Sequence, residues 1–186
     1  MLRVAIVTES ARPGRSNEDV ARWVYEIASR RADAEFELVD IAANSQPLPP
    51  DCGQYAHERT RPWDEKVGSF DAYVLVTPEY NRSTFGALKS ALDCLFREWN
   101  NKATGFVSYG GAGGVCATAS LRQSMGEPQG ARVRARVMLS PLTDCGSFTL
   151  FKPGPQHEKS VHAMLDEVIA SGGALKAFRA LIRWLS

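Results

Sequence analysis

Val4-Ala-Ile-Val-Thr-Glu-Ser-Ala-Arg-Pro-Gly-Arg-Ser16 is the stretch whose reading decides the fold. Val4 to Thr8 is a short apolar run, typical of a strand buried on both faces of a parallel sheet. From Ser16 to about Arg31, apolar residues recur at helical spacing: Val20, Trp23, Val24, Ile27 and Ala28. Ser16 suits the helix cap, and Asp19 three residues on resembles the acidic member of a capping box. The turn between strand and helix, Glu9 to Gly14, lacks the G-x-G-x-x-G pattern of six-stranded dinucleotide folds.

Outward from that unit the chain alternates strand and helix. Strands are expected at Phe36–Ile41, Ala72–Thr77, Ala103–Tyr109 and Val133–Leu139. In the last, Arg134 and Arg136 alternate with apolar residues, which predicts an edge strand with one wet face. Helices are expected at Phe85–Trp99, Val115 to about Met125, Lys159 to about Ala170, and Ala174–Leu185, with Gly172-Gly173 kinking or breaking the last two apart. Ala42 to Glu65 holds four prolines and no clear period, and reads as a long loop with room for one short helix. Five strands with helices on both faces give an α/β three-layer sandwich. A five-stranded parallel sheet of flavodoxin-like order 2-1-3-4-5 fits, in one domain spanning residues 1–186.

In that order strands one, three and four are neighbours, and the loops at their carboxyl ends share one crevice. The first loop, Ser10 to Ser16, ends at a helix start, where free N–H groups and the helix dipole favour an anion. Ser10 and Ser16 add hydroxyls, and Arg12 and Arg15 add guanidinium forks that suit a phosphate. A helix cap with solvated arginines is the plainer use of the same residues. The second loop, Pro78-Glu-Tyr-Asn81, offers the flat face of Tyr80. Asn81 and the backbone around Glu79 offer hydrogen bonds for the polar edge of a ring. Ser83 and Thr84 suit the cap of the helix that follows. An ordinary turn is the alternative. The third loop, Gly110-Gly-Ala-Gly-Gly114, has four glycines in five residues. There Gly111 and Gly113 let backbone lie against a planar ligand, with N–H groups to meet carbonyl oxygens. No Gly-Lys-Ser/Thr follows, so it is not a nucleotide P-loop. A phosphate site beside two ring-binding loops points to flavin mononucleotide (FMN).

Composition bounds the partners. The 186 residues are 44% hydrophobic and 23% charged with a formal net charge of +1, which suits a globular protein and calls for neither nucleic acid nor an anionic membrane. No apolar run reaches the roughly 18 residues of a spanning helix, and the start has no signal-peptide order, so the cytoplasm is the expected compartment. Cys52, Cys94, Cys116 and Cys145 form no C-x-x-C pair and read as reduced, mostly buried thiols. His57, His157 and His162 are scattered and read as surface or loop residues, so no metal site is expected.

Thr77-Pro-Glu-Tyr-Asn-Arg-Ser-Thr-Phe-Gly-Ala-Leu-Lys-Ser-Ala-Leu-Asp93 resembles the signature segment of the NAD(P)H-dependent FMN reductases. Ser10 to Arg15 is similar to their phosphate loop, departing at Glu9, where the family commonly has glycine. Ser108 to Val115 with Leu121-Arg122 is similar to their glycine loop and its helix. The resemblance spans roughly residues 3 to 125. It implies bound FMN held by Ser10, Arg12, Arg15, Ser16 and Asn17 at the phosphate. Pro78, Glu79, Tyr80 and Asn81, with Ser108, Tyr109, Gly110, Gly111 and Gly113, would hold the ring. It also implies NADPH or NADH as donor, a homodimer or homotetramer, and a small acceptor: a flavin, quinone, azo compound or chromate. The flavin carries the chemistry, so no catalytic side chain is expected. The alternatives are a flavodoxin-type electron carrier, against which the charge of +1 speaks because flavodoxins tend to be acidic, and a flavin-binding regulator.

Overall fold

In the computed structural model, residues 1–8, 16–42, 56–146 and 150–185 are described. Five strands, β1 (Leu2–Thr8), β2 (Ala34–Asp40), β3 (Ala72–Pro78), β4 (Ala103–Tyr109) and β5 (Ala131–Leu139), form one parallel sheet in the order β2-β1-β3-β4-β5. This is the predicted order, and β5 is the predicted edge: Arg132, Arg134 and Arg136 are exposed while Val133 and Val137 are buried.

Alternate side chains of the central strands serve two cores. Val4, Ile6, Val74 and Val76 face α1 (Ser16–Ala28) and the last helix, α6 (Pro155–Leu185). Ala5, Val7, Tyr73 and Leu75 face α2 (Ala56–Gly68), α3 (Gly86–Asp93) and α4 (Val115–Ser124). Trp63 and Trp99, each 1% exposed, anchor the second core and donate their indole N–H groups to Ala91 O (3.0 Å) and Leu92 O (3.2 Å). Buried Lys102 reaches the carbonyls of Val67 and Gly68 at the end of α2, where a cation complements the helix dipole, and also the Tyr73 hydroxyl.

Three elements differ from expectation. The proline-bearing stretch contains a 13-residue helix, α2, with Pro62 inside it, because burying Trp63 and Val67 outweighs the lost backbone bond. Helix α3 stops at Asp93, and a 3₁₀ turn, Arg97–Trp99, follows. That turn swings Trp99 into the core against Tyr73 and leaves Phe96 58% exposed. Gly172-Gly173 does not interrupt α6, which runs unbroken for 31 residues. A Cβ at Gly172 would lie 3.1 Å from Ala72 Cβ and Leu2 Cδ2, so the glycine serves close approach of helix to sheet. Beyond it, Lys176 (2.8 Å) and Arg179 (2.7 Å) clamp Asp71. Burial alone would raise the Asp71 carboxyl. The hydrogen bonds from Lys176 and the Arg3 N–H and the two cations outweigh it, and hold it below the usual carboxylate range.

Between β5 and α6 lie a short helix, α5 (Pro141–Asp144), and two bridged residue pairs, β6 (Cys145–Gly146) and β7 (Leu150–Phe151). Here His157 is not an ordinary surface histidine. Its Nε2 lies 2.9 Å from Oδ1 of buried Asp144, whose other oxygen accepts from the Ser140 N–H and the Thr143 hydroxyl. Cys94, Cys116 and Cys145 are half-buried rather than buried, and Cys116 and Cys145 are free thiols.

Candidate flavin site

Parallel strands bring β1, β3 and β4 to one carboxyl edge. The first loop's Ser10, Arg12 and Arg15 lie outside the described residues. On either side of them β1 ends at Thr8 and α1 begins at Ser16. Asn17, 4% exposed, donates its Nδ2 to Thr8 Oγ1 at 3.0 Å, tying the start of the helix to the end of the strand. The first N–H groups of α1 are therefore fixed beside the sheet edge, where an anion can meet them.

The second loop is a tight turn. Tyr80 and Ser83 exchange two backbone hydrogen bonds of 2.9 Å, and both residues between them, Asn81 (φ 49°) and Arg82 (φ 63°), lie in the left-handed region. Positive φ at both central positions is the type I′ pattern. Asparagine tolerates it; arginine there is strained, a feature that concentrates at ligand sites. The predicted cap is absent: Thr84 pairs with Thr77 (2.7 Å) and Ser83 with Ser120 (3.2 Å), and α3 starts after Phe85 without a side-chain cap. Tyr80 stands 42% exposed and Asn81 is exposed, whereas Pro78 is buried.

The third loop is locked to the second. Glu79 Oε2 accepts the N–H groups of Cys116 (2.8 Å) and Ala117 (3.3 Å) in the first turn of α4, so this carboxylate caps the helix that the glycine loop opens. Glu79 N–H donates to Tyr109 O at 2.9 Å, and buried Ser108 donates its hydroxyl to Gly113 O at 2.8 Å. Gly113 (φ +73°) and Gly114 (φ +71°) both need the left-handed conformation.

Gly111 is different. A Cβ there would meet nothing within 4 Å, and among the described residues no acceptor takes the N–H of Gly111 or Ala112. Two free donors on an exposed backbone, beside an exposed tyrosine, match the donor set that a flat ring with carbonyl oxygens requires. Sequence reasoning missed Arg82, Gly114 and the helix-capping role of Glu79. The first two follow from positive φ, and the third from a contact 37 residues away in the chain.

The sequence profile of NADPH-dependent FMN reductases matches residues 2–143. Over 131 residues, 67% of this chain and 66% of its relative, the chain is 34% identical to an NAD(P)H-dependent FMN reductase of Schizosaccharomyces pombe. It is 35% identical over 130 residues to a quinone reductase of Pseudomonas putida, covering 66% of this chain and 68% of that one. Its fold matches the solved structure of FerB, a flavoenzyme NAD(P)H:(acceptor) oxidoreductase from Paracoccus denitrificans. The TM-score is 0.71 at 20% identity, over 90% of this chain and 97% of that one. With residues 2–143 matched and the sheet order 2-1-3-4-5, the chain belongs to the NADPH-dependent FMN reductase family.

Proposed function

We propose that this chain, as a single domain, is an NAD(P)H-dependent FMN oxidoreductase acting on a small acceptor. The observation that carries it is the pair of free N–H groups at Gly111 and Ala112 on a loop braced by Glu79 beside exposed Tyr80. Ser10, Arg12, Arg15 and Ser16, with the Asn17 N–H, would hold the phosphate. Pro78 to Asn81 and Ser108 to Gly113 would hold the ring. When bound, FMN supplies the ring that accepts hydride from the nicotinamide and passes electrons on. The protein's part is binding and orientation: Tyr80 offers a face for stacking, and the glycine-loop N–H groups stand where ring oxygens gain negative charge on reduction. The quinone reductase among the relatives supports a quinone-type acceptor. Exposed Tyr80, Val115, Met138 and Leu142, set around the glycine loop, supply apolar surface for it. None of the described helices is long and apolar enough to cross a membrane, and the free thiols of Cys116 and Cys145 support a cytoplasmic setting.

FMN-loaded protein mixed with NADPH or NADH without air is expected to lose its flavin absorbance rapidly. Bleaching by dithionite but by neither dinucleotide would instead leave an electron carrier or regulator. A homo-oligomer belongs to the same reading. Phe96 projects beside a groove of about 420 Å³ lined by Leu92, Leu95 and Met125, while Trp99 is core. Sedimentation at micromolar concentration is expected to show a dimer or tetramer, and a monomer would sink this part.

A further inference from the structure

The edge strand carries three arginines, and α4 beside it a fourth, that the flavin site does not use. Thr104 pairs with Arg132 and Phe106 with Arg136, so β5 has two extra residues in this interval. The bulge is closed from behind by Glu167 of α6, whose Oε2 accepts the N–H groups of Arg134 (2.7 Å) and Ala135 (2.9 Å). Val133, Ala135 and Val137 pack toward α6, while Arg132, Arg134, Arg136 and Met138 are exposed. Beside them Arg122, in the last turn of α4, lies over the Phe106 ring at 5.5 Å and donates to Val133 O. Arg132 in turn donates to Arg122 O at 2.9 Å. Among the described residues none of the four guanidinium groups makes an ion pair with a carboxylate.

This face between α4 and β5 begins at the glycine loop: a Cβ on Gly113 would lie 3.0 Å from Met138 Cβ. Crowding cations has a cost. Burial, then Arg132 and Arg136, lower the Arg122 guanidinium from its usual value. Protecting a sheet edge needs only scattered charge, and the bulge capped by Glu167 already supplies protection. Unpaired arginine forks on neighbouring positions are instead suited to phosphate.

We propose that this face binds the phosphate groups at the adenosine end of the reduced dinucleotide through Arg134 and Arg136, and favours NADPH, whose ribose carries an additional 2′-phosphate, over NADH. This rests on the reading that the glycine loop holds the flavin, since the nicotinamide must reach that ring while the rest of the dinucleotide leaves along a neighbouring surface. Arg122 and Arg132 are braced by backbone carbonyls and set the positive field. Arg134 and Arg136 make no side-chain bond among the described residues and are free to chelate.

The test is the double substitution Arg134→Ala with Arg136→Ala in FMN-loaded protein. The ratio of kcat/KM for NADPH to that for NADH is expected to fall about tenfold or more. Binding of 2′,5′-ADP, titrated separately as a redox-inert probe, is expected to weaken by a similar factor. A ratio and an affinity both within twofold of the parent would overturn the proposal. So would unchanged 2′,5′-ADP binding accompanied by a smaller sedimenting species, which would make this face a contact between copies. If the parent oxidises neither dinucleotide, the proposed function fails; the 2′,5′-ADP titration still decides the role of the arginine face by whether the double variant loses it.

Discussion

Replacing Arg12 and Ser16 together by alanine is expected to weaken FMN binding by roughly a hundredfold or more and riboflavin binding only slightly. A hydrogen bond to a charged group contributes about 1.5–3 kcal/mol, and a tenfold change in affinity is about 1.4 kcal/mol. Losing one guanidinium and one hydroxyl from a phosphate thus removes about two decades at the least. Riboflavin lacks the phosphate and has nothing to lose there. The structure supports preorganisation of this end: Asn17 fixes the start of α1 to Thr8, so the helix N–H row is held at the sheet edge whether or not Ser16 keeps its hydroxyl. Fluorescence titration of both flavins against parent and variant measures the difference. Equal losses for the two would mean the turn after β1 does not hold a phosphate.

The strands were legible because each is a short apolar run between polar turns, and β4 falls on the predicted residues, Ala103–Tyr109. The wet edge was legible from arginines alternating with apolar residues in β5. Burial by tertiary partners was not. Trp63 enters a core made by α3 and the 3₁₀ turn, so its helix forms despite Pro62 and a weak period. Gly172 looked like a helix breaker because glycine has low helix propensity. Its reason lies in the Leu2 and Ala72 side chains, distant in the chain, that press against α6. The apolar string from Leu88 to Trp99 read as one helix face, but the turn after Asp93 sends Trp99 inward and Phe96 outward. At the site, residue types located the loops, while the brace between them depends on a side-chain bond that no local pattern announces. Glu79 offered itself as a polar neighbour of the ring; its carboxylate is spent on the N–H groups of Cys116 and Ala117.

That brace divides the glycine loop into positions that hold the fold and one that faces outward, and valine substitutions should separate them. Gly114→Val puts a β-branched residue at φ +71° with its Cβ 2.7 Å from Ser108 Cβ and 2.8 Å from Tyr109 N. The left-handed conformation costs about 1–2 kcal/mol and overpacking about 1–3 kcal/mol. At roughly 2–4 °C per kcal/mol for a chain of this size, melting should fall by roughly 5–15 °C. Gly113→Val shares the strain, at φ +73° against Met138. Glu79→Ala leaves two N–H groups of α4 uncapped and frees one loop from the other. It should lower both melting temperature and flavin retention, with Glu79→Gln closer to the parent because its amide oxygen still accepts. Gly111→Val meets no protein atom within 4 Å, so it should melt within about 0.5 kcal/mol of the parent, as exposed substitutions do. Its side chain would instead occupy the space above the free N–H groups, and FMN retention or the rate of anaerobic reduction by NADPH should fall at least tenfold. Circular dichroism melts beside flavin titration and reduction kinetics read all five variants. If Gly111→Val holds FMN and is reduced at the parent rate, the ring does not lie against this loop, and the free donors at Gly111 and Ala112 serve water alone.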